Sequence, residues 1–114
     1  MEDKIKKVEN EQDNKGHFVK INGHEWDVKF VNSEDEYLNN ERLGWTDTYN
    51  RVIRIDKSLD NESRKIVLAH ELTHAFLDSQ GRGRQDNFTQ EEMADFIAWN
   101  FNEISRLLEE LENE

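Results

Sequence analysis

The residues with the clearest potential for chemistry form the pentad His70-Glu71-Leu72-Thr73-His74. On a helix, side chains four positions apart share a face and lie roughly 5–6 Å apart. Two imidazoles at that spacing can bind one Zn²⁺, and Glu71 points toward the same cleft. There it can take a proton from a metal-bound water, whose pKa the ion lowers toward about 7. This arrangement is typical of zinc peptidases, with Glu71 as the general base; two ordinary packed helix histidines are the alternative.

A catalytic zinc needs a third protein ligand and one open coordination position. No histidine follows His74, and His17 and His24 lie upstream, where we expect surface positions on strands. The better candidates are therefore the carboxylates Glu91 and Glu92 at the start of the last predicted helix.

Of these two carboxylates we favour Glu91 as the third metal ligand. Asp95 lies four residues later on the same helix face, where it could accept the second ring N–H of a ligating histidine. Glu92 has a competing role, because Thr89 and Glu92 have the spacing of a capping box. The alternative for Glu91 is a carboxylate that merely complements the helix dipole.

Two helices are predicted in the second half of the chain. After Asp60 apolar residues recur with a helical period, which indicates a helix from near Asn61 to Ser79, with Gly81 as its stop. Its predicted apolar stripe comprises Ile66, Ala69, Leu72 or Thr73, and Phe76. The second helix runs from about Gln90 to Leu111. Its predicted stripe comprises Ala94, Ile97 or Ala98, Phe101, Ile104, Leu108 and Leu111.

The first half of the chain predicts two strand pairs. Residues 17–21 and 24–31 flank Asn22-Gly23, a strong hairpin signal because both central residues of a type I′ turn need positive φ. Residues 43–48 and 51–55 form the second pair. The strand over 51–55 either forms a sheet edge at the cleft, where an extended peptide could add, or is an ordinary edge strand.

These elements predict an α+β fold of minimal zincin-like form. A small, mostly antiparallel N-terminal sheet packs on the pentad helix and on the C-terminal glutamate-bearing helix. Ser33 and Glu36 predict a further capping box that opens a short helix through about Leu38. The three tryptophans are expected in the core: Trp26, Trp45 and Trp99.

The composition of the chain excludes several classes of protein. The chain has 114 residues, no cysteine and a formal net charge of −11, which argues against nucleic-acid and anionic-membrane partners. Residues 1–15 are mostly charged and are predicted to be a disordered tail, followed by one domain over 16–114. The chain has no apolar run long enough to span a membrane, no secretory signal and no cysteine, so we expect a cytoplasmic protein. A monomer is the default expectation, and the expected partner is a protein or peptide substrate.

Residues 66–77 and 91–98 together resemble the ImmA/IrrE-type zinc metallopeptidases of the gluzincin group. The resemblance extends upstream through 44–47 and 52–56. It implies that His70, His74 and Glu91 bind zinc, that Glu71 is the general base, and that Asp95 supports the ligand shell. Many such proteins come from phages and mobile elements, where they act on a repressor. This chain is short and resembles a minimal stand-alone form.

Two functions follow from these residues. The first is a zinc-dependent endopeptidase that hydrolyses a protein substrate, such as a phage or mobile-element repressor, through a metal-bound water activated by Glu71. The alternative is a zinc-bound interaction module that sequesters a regulator without cleaving it. The residue that would stabilise an oxyanion stays open among Tyr37, Tyr49, His24, Arg82 and Arg84.

Overall fold

The computed structural model describes residues 16–112, and the predicted tail over 1–15 lies outside the described residues. Four strands precede two helices, as the sequence predicts. The elements are β1 (Gly16–Ile21), β2 (His24–Val31), β3 (Gly44–Asp47), β4 (Val52–Asp56), α1 (Asn61–Ser79) and α2 (Gln90–Glu112). Within these residues, neither helix is long and apolar enough to cross a membrane.

The four strands form one mixed sheet in the order β1-β2-β4-β3. Both predicted pairs are antiparallel, and the pairs join through a parallel contact between β2 and β4. The α+β prediction is confirmed. The prediction that residues 51–55 form an edge strand is wrong, because β4 lies between β2 and β3, and its Ile53 and Ile55 are fully buried. The edge strand of this pair is β3.

Local turn chemistry accounts for one correct and one incorrect prediction. Asn22 and Gly23 both have positive φ, 52° and 84°, which confirms the predicted hairpin turn. The helix predicted through Leu38 is replaced by consecutive turns. The Asp35 side chain accepts the Tyr37 N–H at 2.8 Å and so competes with helical pairing.

The core lies between one face of the sheet and the two helices. Its buried residues are Val19, Ile21, Trp26, Val28, Ile53, Ile55, Leu68, Leu72, Ala75, Phe76, Leu107 and Leu111. Only Trp26 of the three tryptophans belongs to it. The predictions for Trp45 and Trp99 are wrong, since these side chains are 38% and 85% exposed. Trp45 lies at the sheet edge, and Trp99 lies on the first half of α2.

Each predicted stripe is confirmed in part, because Leu72 and Phe76 of α1 and Ile104, Leu108 and Leu111 of α2 pack in the core, whereas other predicted members face solvent. α1 buries Leu68 and Leu72 against the sheet and leaves Ile66 exposed. On α2 the buried face includes Asn100 rather than Ile97 or Phe101. The Asn100 amide bonds to the Gln80 side chain and to the Phe96 carbonyl oxygen, which fixes the rotation of α2 against the end of α1.

The start of α1 generates a prediction about stability and pH. Asp60 is the N-cap and accepts the Ser63 backbone N–H at 2.7 Å, a bond that holds the pKa of Asp60 below its ordinary value. Because the folded pKa is lowered, the ionised cap stabilises the fold above the unfolded pKa of about 3.9, and this stabilisation is lost as the pH falls through the folded pKa. We expect Asp60→Ala to lower the melting temperature by a few degrees at pH 7.

The pH dependence is checked with Asp60→Asn, which caps a helix but does not titrate. Melting curves from pH 7 to about pH 3 should show the gap between wild type and Asp60→Ala narrowing. The gap between Asp60→Asn and Asp60→Ala should stay constant. A gap between wild type and Asp60→Ala that does not change with pH would show that the charge of the cap contributes nothing.

Candidate active site

The two histidines of the pentad converge on a single point above α1. Four residues apart on the helix, His70 and His74 bring their Nε2 atoms to 3.3 Å, with ring centroids 4.9 Å apart. The rings project away from the core, and the His70 side chain is 66% exposed. Both nitrogens are therefore accessible from the cleft beside the helix.

The separation of these nitrogens fits a shared metal ion. Two nitrogens bound at about 2.0–2.1 Å to one tetrahedral ion lie roughly 3.3–3.4 Å apart. The observed 3.3 Å between His70 Nε2 and His74 Nε2 equals that separation. The donor set is also suitable, because neutral imidazole is a common zinc ligand.

Glu71 lies on the inner side of the same helix turn and is only 7% exposed. The Thr46 hydroxyl lies 2.6 Å from Glu71 Oε1, to which it donates, and 3.1 Å from the Glu71 carbonyl oxygen. The other carboxylate oxygen, Oε2, lies 3.9 Å from His70 Nε2. One oxygen is thus held by the sheet, and the other faces the histidine pair.

Close approach of β3 to α1 makes this arrangement possible. A Cβ atom on Gly44 would lie 2.9 Å from both Glu71 Cγ and Val67 Cγ1, closer than real Cβ contacts allow. Gly44 therefore leaves room for the Glu71 side chain. No motif in the sequence predicts a role for Gly44 or Thr46. The one feature that could have indicated a role is their position on the strand pair predicted just before the pentad helix.

Two adjoining cavities flank this carboxylate. The larger holds about 390 Å³ and is lined by Arg42, Gly44, Trp45, Thr46, Thr48, His70, Glu71, His74 and Gly83. The second holds about 340 Å³ and is lined by Arg42, Leu43, Gly44, Ile66, Val67, His70 and Glu71. We refer to the two together as the cleft. It runs along β3 and has room for a peptide segment.

The outer edge of β3 offers backbone hydrogen bonds to the cleft. The Asp56 N–H donates to the Leu43 carbonyl oxygen at 2.9 Å. This bond shows which residues of β3 are hydrogen-bonded to β4. In an antiparallel pair, alternate residues direct their backbone groups toward the partner strand. Leu43 and Trp45 therefore face β4, whereas the N–H and C=O groups of Gly44 and Thr46 point outward. An extended chain could pair with these two residues.

Glu91 lies outside the cleft in this structure. The helices α1 and α2 are antiparallel, with Lys65 Nζ 3.4 Å from Glu112 Oε1 and Gln80 Nε2 2.7 Å from Asn100 Oδ1. Glu91 is nine residues before Asn100, which places it roughly 14 Å beyond the end of α1 at 1.5 Å per residue. The described part of the chain contains no cluster of three His, Asp or Glu side chains arranged to hold a metal.

Glu92 is engaged in the predicted capping box. Its Oε1 accepts the Thr89 N–H at 3.0 Å, and its own N–H donates to Thr89 Oγ1 at 3.1 Å. The Thr89 bond holds the pKa of Glu92 below its ordinary value. Asp95 lines a separate cavity with Arg82 and is not among the residues of the cleft. The structure therefore brings together His70, Glu71 and His74, and it leaves Glu91, Glu92 and Asp95 elsewhere.

The residues considered for oxyanion stabilisation also lie outside the cleft lining. Tyr49 is 93% exposed, the Tyr37 ring stacks with Arg54, and His24 Nδ1 lies 3.3 Å from Arg51 Nη1. Arg82 and Arg84 belong to the connection between the helices and line neither cavity. The cationic side chain that does line both cavities is Arg42, which belongs to none of the predicted motifs.

A comparison with known protein families identifies the family of the chain. Residues 25–97 match the family model Peptidase_M78, described as the IrrE N-terminal-like domain. The matched range begins in β2, spans β3, β4 and the pentad helix, and ends within α2. Searches of curated proteins and of solved structures found no match. Because the family model covers well over half of the chain, the protein belongs to the IrrE N-terminal-like family of peptidases, as the ImmA/IrrE resemblance predicted.

Proposed function

We propose that the protein is a zinc-dependent endopeptidase of the gluzincin type that hydrolyses a peptide bond in a protein substrate. His70 and His74 are two metal ligands, and Glu71 is the general base. The observation that carries the proposal is the 3.3 Å separation of the two Nε2 atoms, with Glu71 Oε2 3.9 Å from the first of them. Membership of a peptidase family supports the reaction class.

Glu71 and Thr46 have different roles in the proposed hydrolysis. Zinc, when bound, supplies Lewis acidity that polarises a carbonyl and makes water a better nucleophile. Glu71 accepts the proton of the attacking water at Oε2 and passes it to the leaving amine. The Thr46 hydroxyl holds Oε1, so the carboxylate keeps one orientation during both transfers. Thr46 is a positioning residue in this scheme, since it acts through Glu71.

The substrate binds as an added strand along β3. The outward N–H and C=O groups of Gly44 and Thr46 pair with an extended segment, in the mode that sheet edges offer to peptides. Both residues line the same cavity as Glu71 and the histidines. A peptide paired in this way therefore lies with its backbone beside the general base.

We propose Glu91 as the third ligand, supported by the family resemblance and by the Glu92 capping box, which occupies the alternative carboxylate. For Glu91 to reach the histidines, the chain from 80 to 99 has to fold back along α1. Most side chains over 90–99 are exposed, so this rearrangement would give up few buried contacts, of which that of Phe96 with the core is one.

The metal site is tested by elemental analysis of the purified chain. We expect about one zinc per chain in the wild type and loss of the metal in His70→Ala and His74→Ala, because each removes one of the converging nitrogens. Glu91→Ala should weaken zinc retention. The matched control is Glu92→Ala, which removes a neighbouring carboxylate and should keep the metal.

The outcomes separate the parts of the site. Absence of bound metal even after zinc is added would refute the metal centre and the endopeptidase proposal. If zinc is lost in Glu92→Ala and retained in Glu91→Ala, the metal centre is supported, but its third ligand is Glu92 and not Glu91. The melting temperature of each variant is measured as well. Glu92→Ala should have a lower melting temperature, because it loses the capping box, but an unchanged zinc content.

Glu71→Gln distinguishes cleavage from binding. The amide keeps the shape and can still accept the Thr46 hydrogen bond, but it cannot take a proton. We expect zinc content to be retained and peptide hydrolysis, followed by mass spectrometry, to fall by roughly 10²–10⁴-fold. A biological effect that persists in this variant would instead favour the non-cleaving zinc-bound module.

Thr46→Val tests the positioning of the base. Valine has nearly the shape of threonine without the hydroxyl, so it removes the donor to Glu71 Oε1. We expect kcat to fall roughly 10- to 100-fold, as when a hydrogen-bonded partner of an active-site group is lost, with a changed pH profile and unchanged zinc content. Thr46→Ser should restore both rate and profile. Equal rates in Thr46→Val and wild type would exclude the positioning role.

A further inference from the structure

Arg42 lies at the rim of the cleft and has no carboxylate partner among residues 16–112. Its guanidinium stacks over the Trp45 ring, 4.5 Å from the centroid, and its Nη1 donates to the Tyr37 carbonyl oxygen at 3.3 Å. These two contacts hold the group beside β3. A guanidinium has five N–H donors, so most of them remain available to a ligand in the cleft.

The charge around Arg42 differs from that of the chain as a whole. The chain carries a net charge of −11, which repels acidic peptides in general. Apart from the histidines, the other side chains of the cleft are neutral except for Glu71, which is buried and held by Thr46. Arg42 is therefore a local cation at the position where a bound peptide would lie. Arginine binds carboxylates through paired, charge-assisted hydrogen bonds.

We propose that Arg42 selects substrates with an Asp or Glu side chain within about two residues of the hydrolysed bond. This inference rests on the proposed endopeptidase function and names its substrate class. The guanidinium stacks on Trp45, which lies between the two residues with outward backbone groups, Gly44 and Thr46. Arg42 and Glu71 line the same two cavities, and an extended peptide advances about 3.3 Å per residue, so a side chain that reaches Arg42 comes from a position near the bond beside Glu71.

Cleavage-site profiling tests the inference directly. A proteome-derived peptide library is incubated with zinc-loaded wild type, Arg42→Ala, Arg42→Glu and the control Arg106→Ala. Arg106 pairs with Glu103 and Glu110 on α2 and lines neither cavity, so its loss matches the change in charge. We expect Asp and Glu to be enriched at least threefold within two residues of the bonds cleaved by the wild type and Arg106→Ala.

The preference should disappear in Arg42→Ala and change to Lys and Arg in Arg42→Glu, and it should weaken with salt because the pair is exposed. Cleavage without enrichment, or enrichment that survives in Arg42→Ala, would overturn the inference while leaving the endopeptidase function intact. Arg42→Lys guards against a folding defect, since it keeps the positive charge and should keep part of the preference.

A binding measurement decides the inference even if no peptide is cleaved. Zinc-loaded Glu71→Gln, labelled with ¹⁵N, is titrated with a blocked Ala-Glu-Ala-Ala peptide and with its Ala-Gln-Ala-Ala counterpart. We expect the Arg42 Nε–H resonance to shift with the glutamate peptide alone, and the Arg106 resonance to stay in place. Equal shifts with both peptides, or none, would overturn the role of Arg42. Absence of cleavage by the wild type would count against the proposed function instead.

Discussion

The close approach of β3 to α1 at Gly44 is the constraint on which the site depends. A side chain at Gly44 would occupy the space of the Glu71 carboxylate, so the strand can lie this near to the helix only without a Cβ. The same approach brings Thr46 within hydrogen-bond distance of Glu71. It also sets the width of the cleft, because β3 both holds Glu71 and borders the cavities with its outer edge. The orientation of the Glu71 carboxylate and the shape of the cleft are therefore consequences of one contact.

The strand order of the sheet explains why β3 can both contact Glu71 and offer a free edge to the cleft. β4 carries the buried side chains and pairs on both sides, with β2 and with β3, so it supplies rigidity. β3 is anchored along its inner edge alone, which leaves its outward backbone groups for another strand. α1 is divided in a similar way. Glu71 belongs to the face that packs against the sheet, whereas His70 and His74 lie on the exposed face, beside the cleft.

Features that depend on local chemistry could be predicted from the sequence. Asn22-Gly23 determined the hairpin, Asp60 and Gly81 lie at the two ends of α1, and the spacing of His70 and His74 predicted their convergence. Features that depend on partners distant in sequence could not be predicted in the same way. Helical periodicity does not say which face meets the sheet, so Ile66 was predicted to be buried in place of Leu68. Thr46 lies 25 residues from Glu71, and only the packed sheet reveals that they meet.

The proposed metal site would link metal binding to folding, because α2 is divided into two halves. The second half packs in the core through Leu107 and Leu111, and Asn100 ties the helix to Gln80 at the end of α1. The first half leaves Met93, Ile97 and Phe101 more than 50% exposed. If Glu91 completes the metal site, the cost of moving this half reduces the apparent zinc affinity. Apolar surface that becomes buried in the move, at about 25 cal/mol per Å², offsets that cost. The affinity for zinc then depends on residues that never touch the metal.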